Sequence, residues 1–320
     1  AYCGPLEAPS GPIGINVALP GNINPLVPFT DSHAELDHSL LSGTAEYEFA
    51  GGYSITAVAS TQDYRFRRLA DFERAPEDRY WAYVFVEQGQ ESYELRLTSP
   101  AQSRFKYMVG LSRLETTYDV GGPFINGTLF GATQGGPTGP AGFIPGRNLS
   151  ETDSAFASIG YDLTDRLNLS IEARYQDDTV TSGVGLPTKF AVNTKATLPR
   201  VLLGYKFSDQ TNLYANFAKG NQPTQGYATY FQITPAQQQV ALANGISPTA
   251  PEAEVKNYEF GIKHRSDDGR WYLNGSVYYL EWVGRQGTRT VQVDLNGDGI
   301  IQTGSAPTGE TFNAVPFAAG

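Results

Sequence analysis

Hydrophobic and polar residues alternate with a period of two over most of the chain from Gly43 onward. Tyr53, Ile55, Ala57 and Ala59 alternate with Ser54, Thr56 and Ser60, interrupted only by Val58. Tyr93, Leu95 and Leu97 alternate with Glu94, Arg96 and Thr98. After the turn-forming stretch Ser99-Pro100-Ala101-Gln102-Ser103, Phe105, Tyr107, Val109 and Leu111 alternate with Lys106, Met108, Gly110 and Ser112. The clearest run sets Leu167, Leu169, Ile171, Ala173 and Tyr175 against Asn168, Ser170, Glu172, Arg174 and Gln176. Similar runs pass through Val201 to Phe207, Leu213 to Phe217, Tyr258 to Ile262 and Leu273 to Tyr279. A period of two places one residue set on each face of a β-strand, so the pattern predicts about ten strands. Residues 1–42 are rich in Pro, Gly and Asn without a sustained period, and read as an irregular loop region.

The connections have a regularity of their own. Short turns at Ala50-Gly51-Gly52, Ser99 to Ser103, Thr164-Asp165-Arg166, Ser208 to Thr211 and Ser266 to Arg270 alternate with long loops near 63–90, 118–152, 179–197, 220–254 and 284–320. An antiparallel membrane barrel has short turns on one side and long loops on the other. Charged residues in mid-strand, such as Glu94, Arg96, Lys106, Glu172, Arg174, Glu259 and Lys263, suit a wet or filled lumen behind an apolar outer face. Tyr64, Tyr161, Phe207 and Trp271, near strand ends, suit interfacial girdles. The expected fold is therefore all-β: the wall of an antiparallel transmembrane β-barrel over residues 43–320. A secreted sandwich or propeller is the competing all-β architecture.

Composition narrows the function classes. The mean hydropathy of -0.33, with no apolar run long enough for a spanning helix, excludes an inner-membrane helical protein but leaves a barrel open. Net charge -10 and the absence of clustered Lys and Arg argue against a nucleic-acid partner. The single thiol, Cys3, cannot close an internal disulfide. His33, His38 and His264 are not accompanied by a nucleophile elbow, and no Gly-rich phosphate loop is evident, so an enzyme is not expected.

Three blocks carry a family resemblance. The first runs from Tyr93-Glu94-Leu95-Arg96-Leu97-Thr98-Ser99-Pro100 into Arg104-Phe105-Lys106-Tyr107-Met108-Val109-Gly110-Leu111. The second runs from Leu198-Pro199-Arg200-Val201 through Gly204-Tyr205-Lys206-Phe207-Ser208-Asp209 into Leu213-Tyr214-Ala215-Asn216-Phe217-Ala218-Lys219-Gly220. The third is Pro251-Glu252-Ala253-Glu254 with Asn257-Tyr258-Glu259-Phe260-Gly261-Ile262-Lys263 and the strand through Val277-Tyr278-Tyr279. In order and spacing they resemble the barrel of TonB-dependent receptors over roughly residues 43–285. The resemblance implies a barrel of about 22 strands with a plugged lumen, in the outer membrane of a Gram-negative bacterium. Its partners would be outer-membrane lipid, a small-molecule solute, and TonB with its inner-membrane motor, reached through a plug. The chain thus reads as an internal barrel stretch, with plug and C-terminal strands outside it. Its implied work is energy-driven uptake of a scarce, bulky solute such as an iron–siderophore complex, and no cofactor is required. Where the family carries Gly-Tyr-x-x-Gly, this chain has Lys219-Gly220-Asn221-Gln222-Pro223. A passive porin-like channel and a secreted binding or adhesion protein are the alternatives.

Candidate contacts lie in the long loops. Tyr227, Tyr230 and Phe231 could stack on a siderophore or sugar, or pack among themselves. Asp294, Asn296 and Asp298 occupy the first, third and fifth positions of a calcium loop with Gly299 at the sixth, but Ser305 stands where a bidentate Glu belongs. The segment is either a Ca2+ site in an external loop or a plain Asn-Gly-Asp-Gly turn. Asp31, His33, Glu35, Asp37 and His38 have the chemistry, though no defined geometry, for a transition metal.

Overall fold

A computed structural model of the chain describes residues 33–71, 80–121, 124–126, 147–184, 189–302, 306 and 309–319. Ten long strands, each hydrogen-bonded to the next, form one sheet. They are β1 (His33–Glu48), β2 (Ser54–Asp71), β3 (Tyr80–Thr98), β4 (Phe105–Gly121), β6 (Arg147–Asp162), β7 (Leu167–Val184), β8 (Phe190–Lys206), β9 (Thr211–Gln222), β12 (Ala253–Arg265) and β13 (Tyr272–Val283). The short β5 (Phe124–Asn126) pairs with the start of β3. Three small elements, β10 (Gln225–Gly226), α1 (Pro235–Ala243) and β11 (Thr249–Ala250), lie between β9 and β12, and a hairpin of β14 (Arg285–Gln292) with β15 (Thr311–Ala319) follows β13. Among the described residues β1 and β13 do not pair with each other, so the sheet keeps two edges and the barrel is not closed.

All five expected short turns are present, each closed by local chemistry. Gly51 and Gly52 adopt φ of 92° and 79°, where a Cβ would be strained, and so let Phe49 N donate to Tyr53 O at 2.8 Å. Thr164 Oγ1 accepts from the amides of Arg166 and Leu167, and Ser208 Oγ accepts from Gln210 N. Asp268 Oδ1 accepts from Ser266 Oγ and from Arg270 N around Gly269, whose φ is 66°.

The long connections depart from the expectation. β2 runs to Asp71, β3 begins at Tyr80, and β7 and β8 leave only 185–189 between them. Pairing also begins earlier, because β1 starts at His33 within the stretch expected to be irregular. In these extensions apolar and polar side chains are mixed on both faces, as at Leu40 and Leu41 of β1 and Val84 to Val86 of β3, which erases the hydrophobic period while the backbone ladder continues. The smaller of two compact units contains the extensions of β1 to β4 and falls within 1–39, 62–89 and 117–147. There Glu87 takes both Arg67 at 3.1 Å and Arg65 at 3.5 Å, and Thr117 Oγ1 accepts from Gly89 N.

The larger unit, 40–61, 90–116 and 148–320, carries the alternation. From β7 to β13 the register aligns Leu169, Leu203, Ala215, Phe260 and Val277 in one row, and Ile171, Val201, Phe217, Tyr258 and Tyr279 in the next. Most of these side chains are exposed, so this apolar face needs a non-aqueous surrounding. Facing the other way, Asn168, Gly204, Tyr214, Gly261 and Ser276 share a row. The glycines make room for their large neighbours: a Cβ on Gly261 would lie 2.4 Å from the Tyr214 ring, and one on Gly204 would lie 2.5 Å from Asn168 Oδ1.

The apolar face ends on a belt of ion pairs. Asp177 and Lys195 meet at 3.3 Å, Arg113 holds Asp153 at 2.9 Å and Glu151 at 2.6 Å, and Lys256 lies between Glu254 and Glu281 while Lys219 also takes Glu254. At the short-turn end Phe105, Tyr161, Phe207 and Trp271 are exposed, as a girdle requires, whereas Tyr64, in the smaller unit, packs edge-on against the His38 ring. On β7 the band from Leu167 to Tyr175 spans about 26 Å along the strand at roughly 3.3 Å per residue. Its nine residues meet the roughly 9–11 that a tilted spanning strand needs.

The two faces give a direct test. Ile171→Arg, in the middle of the band, is expected to lower unfolding stability in lipid by about 2–4 kcal/mol, and Ser170→Arg on the opposite face by much less. Urea titrations of heat-modifiable gel migration would read both variants, and equal losses would contradict the assignment of faces.

Candidate functional site

The long-connection end of β7 to β13 carries the one cluster of fully buried hydrophobic residues among the described residues. Its first half begins where β8 and β9 part. Their ladder stops at Arg200 paired with Ala218, one residue from Pro199, which lacks the amide hydrogen a continuing ladder uses. Beyond it β9 runs into the connection to β12, where β10 and β11 pair Gln225 with Ala250 and Gly226 with Thr249. A single helical turn spans Ala228–Gln232, and α1 follows it.

The sequence dictates both ends of α1. Thr234 Oγ1 accepts from Gln237 N, and Gln237 Oε1 accepts from Thr234 N, with Pro235 at the first helical position. Gly245, at φ 77°, ends the helix, and Ile246 N donates back to Ala241 O. The stretch Thr234-Pro235-Ala236-Gln237 through Gly245 signals a helix, and a loop reading of 220–254 passes over it.

Tyr227, Tyr230, Ile233, Ala241 and Ile246 from this connection pack with Val293, Leu295, Phe312 and Val315 from the β14–β15 segment. Burying each larger side chain contributes about 1.5–3 kcal/mol. The candidate stacking residues are therefore brought together, but inward. Tyr227 and Tyr230 are core residues, and the Tyr230 hydroxyl donates to Gln238 O at 3.1 Å. Phe231 is partly buried and stacks on Phe190 of β8 with centroids 4.2 Å apart. In this conformation the rings pack against one another and against the apolar residues around them. Burial pushes the Tyr227 phenol up to about 12.

The 294–299 loop is closed by its own side chains. Asp294 Oδ1 accepts from Gly297 N and Oδ2 from Gly299 N, both at 2.7 Å, while Asn296 Oδ1 accepts from Asp298 N and Asp298 Oδ1 from Ile300 N. These amides hold the Asp294 carboxyl below its usual range, with Gly299 the largest contributor. Glu310, although buried, takes Leu295 N and Gln302 N. Ser305 lies outside the described residues. The other metal candidate does not converge. Its segment from His33 onward is the extended start of β1, where Glu35 and Asp37 face away from His38 and the His38 ring packs on Tyr64; Asp31 lies outside the described residues. Among the described residues there is no group of three or more His, Cys, Asp or Glu suited to a metal.

Beneath the cluster, a polar network that sequence reading missed crosses the charged face of the wall. Thr152 Oγ1 donates to Asp178 Oδ1, Gln176 Nε2 donates to Asp178 Oδ2 and to Asn221 Oδ1, and Asn221 Nδ2 donates to Glu252 Oε1. Nearer the short turns, a groove of about 470 Å³ is lined by Asn168, Arg200, Asn216, Tyr214, Glu259 and Lys263. Arg200 there reaches Asn216 and Glu172, and Lys263 sits over the Tyr214 ring. His264 Nδ1 meets Thr211 Oγ1 at 2.8 Å beside Trp271, at the turn end. The arrangement is suited to reversible, multi-point hydrogen bonding of a polar solute.

A family model described as TonB dependent receptor-like, beta-barrel matches residues 7–314. The pyoverdine outer membrane receptor FpvA from Pseudomonas aeruginosa PAO1, solved bound to pyoverdine, is similar with a TM-score of 0.61 and 18% identity, over 89% of this chain and 41% of that one. The ferric yersiniabactin uptake receptor FyuA from Yersinia pestis gives 0.60 and 15%, over 80% of this chain and 37% of its own. The copper transporter OprC gives 0.57 and 12%, over 80% and 40%. This chain thus spans about two fifths of the length of each of these structures. No curated protein matches it by sequence.

The raised Tyr227 pKa has a pH consequence. The folded loop holds the neutral phenol, so its contribution to loop stability is complete below the ordinary tyrosine value of 10.0 and is lost as pH rises towards about 12. A spectrophotometric titration of the wild type minus Tyr227→Phe should show one phenol ionising near pH 12, and a midpoint near 10 would contradict the buried placement.

Proposed function

Because the chain belongs to the TonB-dependent receptor β-barrel family, whose wall lies in the Gram-negative outer membrane, we propose that the protein takes up a scarce, bulky solute with energy supplied through TonB. The family match over residues 7–314 carries this reading. It is supported by the polar face of the wall, whose Gln176, Arg200 and Asn216 make hydrogen bonds that a polar solute can exchange with. The solute class proposed is an iron–siderophore complex. The similar structures include receptors for ferric yersiniabactin and pyoverdine alongside a copper transporter.

The proposed cycle requires no covalent chemistry. Outer loops capture the solute, and the polar face of β6 to β13 offers exchangeable hydrogen bonds at Gln176, Asn221, Arg200 and Glu259. A plug would seal the lumen until TonB displaces it, and outer-membrane lipid would cover the face of Leu169, Leu203, Phe260 and Val277. Contact residues for the solute are proposed on the polar wall rather than at Tyr227 and Tyr230, whose rings would first have to leave their core.

The test is uptake by cells producing the full-length protein, offered a panel of radioiron-loaded siderophores. At least one should accumulate, and accumulation should vanish in a TonB deletion or with a protonophore. Accumulation that persists without TonB would instead indicate a passive channel. For the 294–299 loop we propose a self-closed turn: calcium at about millimolar concentration, the range of weak extracellular sites, should leave the unfolding midpoint unchanged. A rise of several degrees that Asp294→Ala abolishes would assign a calcium site instead.

A further inference from the structure

Neither long connection can bury its own apolar residues. α1 is nine residues long, too short to persist alone, and a lone two-stranded hairpin such as β14–β15 is marginal in water. Each supplies part of a single core. Ala241 and Ile246 from one connection, and Phe312 and Val315 from the other, are wholly buried together. The surface is bridged as well, where Arg289 donates to Gly245 O at 3.0 Å.

This body joins the wall through a narrow neck. The chain enters it at Pro223, leaves at Pro251 and returns at Gly284, whose φ is 70°. The two prolines supply stiff ends, and Gly284 accepts a backbone conformation strained for other residues. The side chain of Gln286 spans the neck. Its Nε2 donates to Pro223 O at 2.9 Å and to Pro251 O at 2.7 Å, tying together three passages of the chain. Its Oε1 is buried without a hydrogen-bond partner among the described residues. Among the described residues the body meets the wall at the end of β8 that lacks β9, where Phe231 stacks on Phe190, Thr224 N donates to Thr194 Oγ1 and Gly226 leaves space for the Phe190 ring, and β10 and β14 also lie beside β7 and β12.

We propose that residues 223–251, 285–302 and 309–319 form one cap that opens and closes as a single body, and that the Gln286 amide is the latch holding its neck. Two independent loops would let a solute pass by moving either one. A shared core instead makes entry conditional on displacing both, with the stacking contact on β8 and the Gln286 clamp as the contacts to break. Its use as a solute gate rests on the uptake reading, but the mechanical claim does not.

Hydrogen exchange of the full-length protein in lipid nanodiscs, without solute, tests both parts. Phe312→Ala lies in the second connection, yet it should speed exchange of the α1 amides in the first as much as those of β14 and β15. Gln286→Met keeps the side-chain volume and removes both donors. It should speed all three elements together by about tenfold, the loss expected for roughly one to two net hydrogen bonds. Amides 167–175 of β7 should keep their rates in both variants, which excludes general unfolding. If Phe312→Ala frees only β14 and β15, the cap is not one body; if Gln286→Met leaves all three unchanged, Gln286 is not the latch. Should Phe312→Ala fail to fold, Val315→Ala makes the same comparison with a smaller perturbation. A failure of TonB-dependent uptake would leave this exchange pattern untouched, so the two claims stand or fall separately.

Discussion

Backbone amides and carbonyls have no water to bond within a hydrocarbon layer, and the rest of this structure follows from meeting that demand with neighbouring strands. The ladder between β7 and β8 runs from Leu167 against Tyr205 to Ser182 against Phe190 without a register shift. The β9–β12 and β12–β13 ladders are equally regular. Side chains are then free to divide by face, apolar rows toward lipid and polar rows toward the lumen. One slip of register would put Glu172 and Arg174 into lipid, so pattern and pairing enforce each other. The departure from full pairing, beyond Arg200 on β8, comes where Pro199 withholds a donor and the side-chain ion pairs mark the end of the apolar band.

The same division explains how much was legible in the sequence. Within the membrane band each strand must show its period to fold, so Leu167 to Tyr175 and Phe105 to Leu111 declare themselves. Beyond the band water surrounds both faces, and no period is required. His33 to Ser42 and Gln62 to Asp71 therefore look irregular although their backbones are paired. The short turns were legible because Gly51, Thr164 and Asp268 act on their immediate neighbours. The cap was not. Its core joins Ile246 to Phe312 and Val315 across more than sixty positions, and that pairing has no local signature. The capping box of α1 was the one visible hint. Tyr227 and Tyr230 stand out in the sequence as loop aromatics, but their burial depends on those distant partners.

Energetically, wall and cap are stabilised in different ways. Among the described residues the wall has almost no buried hydrophobic interior and leaves its apolar face exposed, whereas the loop body carries a buried apolar centre. They meet at the end of β8 and at the neck, where the chain of Thr152, Asp178, Gln176 and Asn221 ends on Glu252, next to the Pro251 carbonyl that Gln286 holds.

The central claim, that this chain is a lipid-facing barrel wall, is tested most directly by cysteine scanning along β7, residues 167 to 178, in the full-length protein in native outer membranes. A spin label at each position would be probed by oxygen, which enters lipid, and by a water-soluble nickel complex. The account predicts oxygen access at 167, 169, 171, 173 and 175 and restricted or aqueous character at the even positions, with water access returning at Asp177. Uniform access to the nickel complex, or an alternation that fails to follow this parity, would contradict a membrane wall.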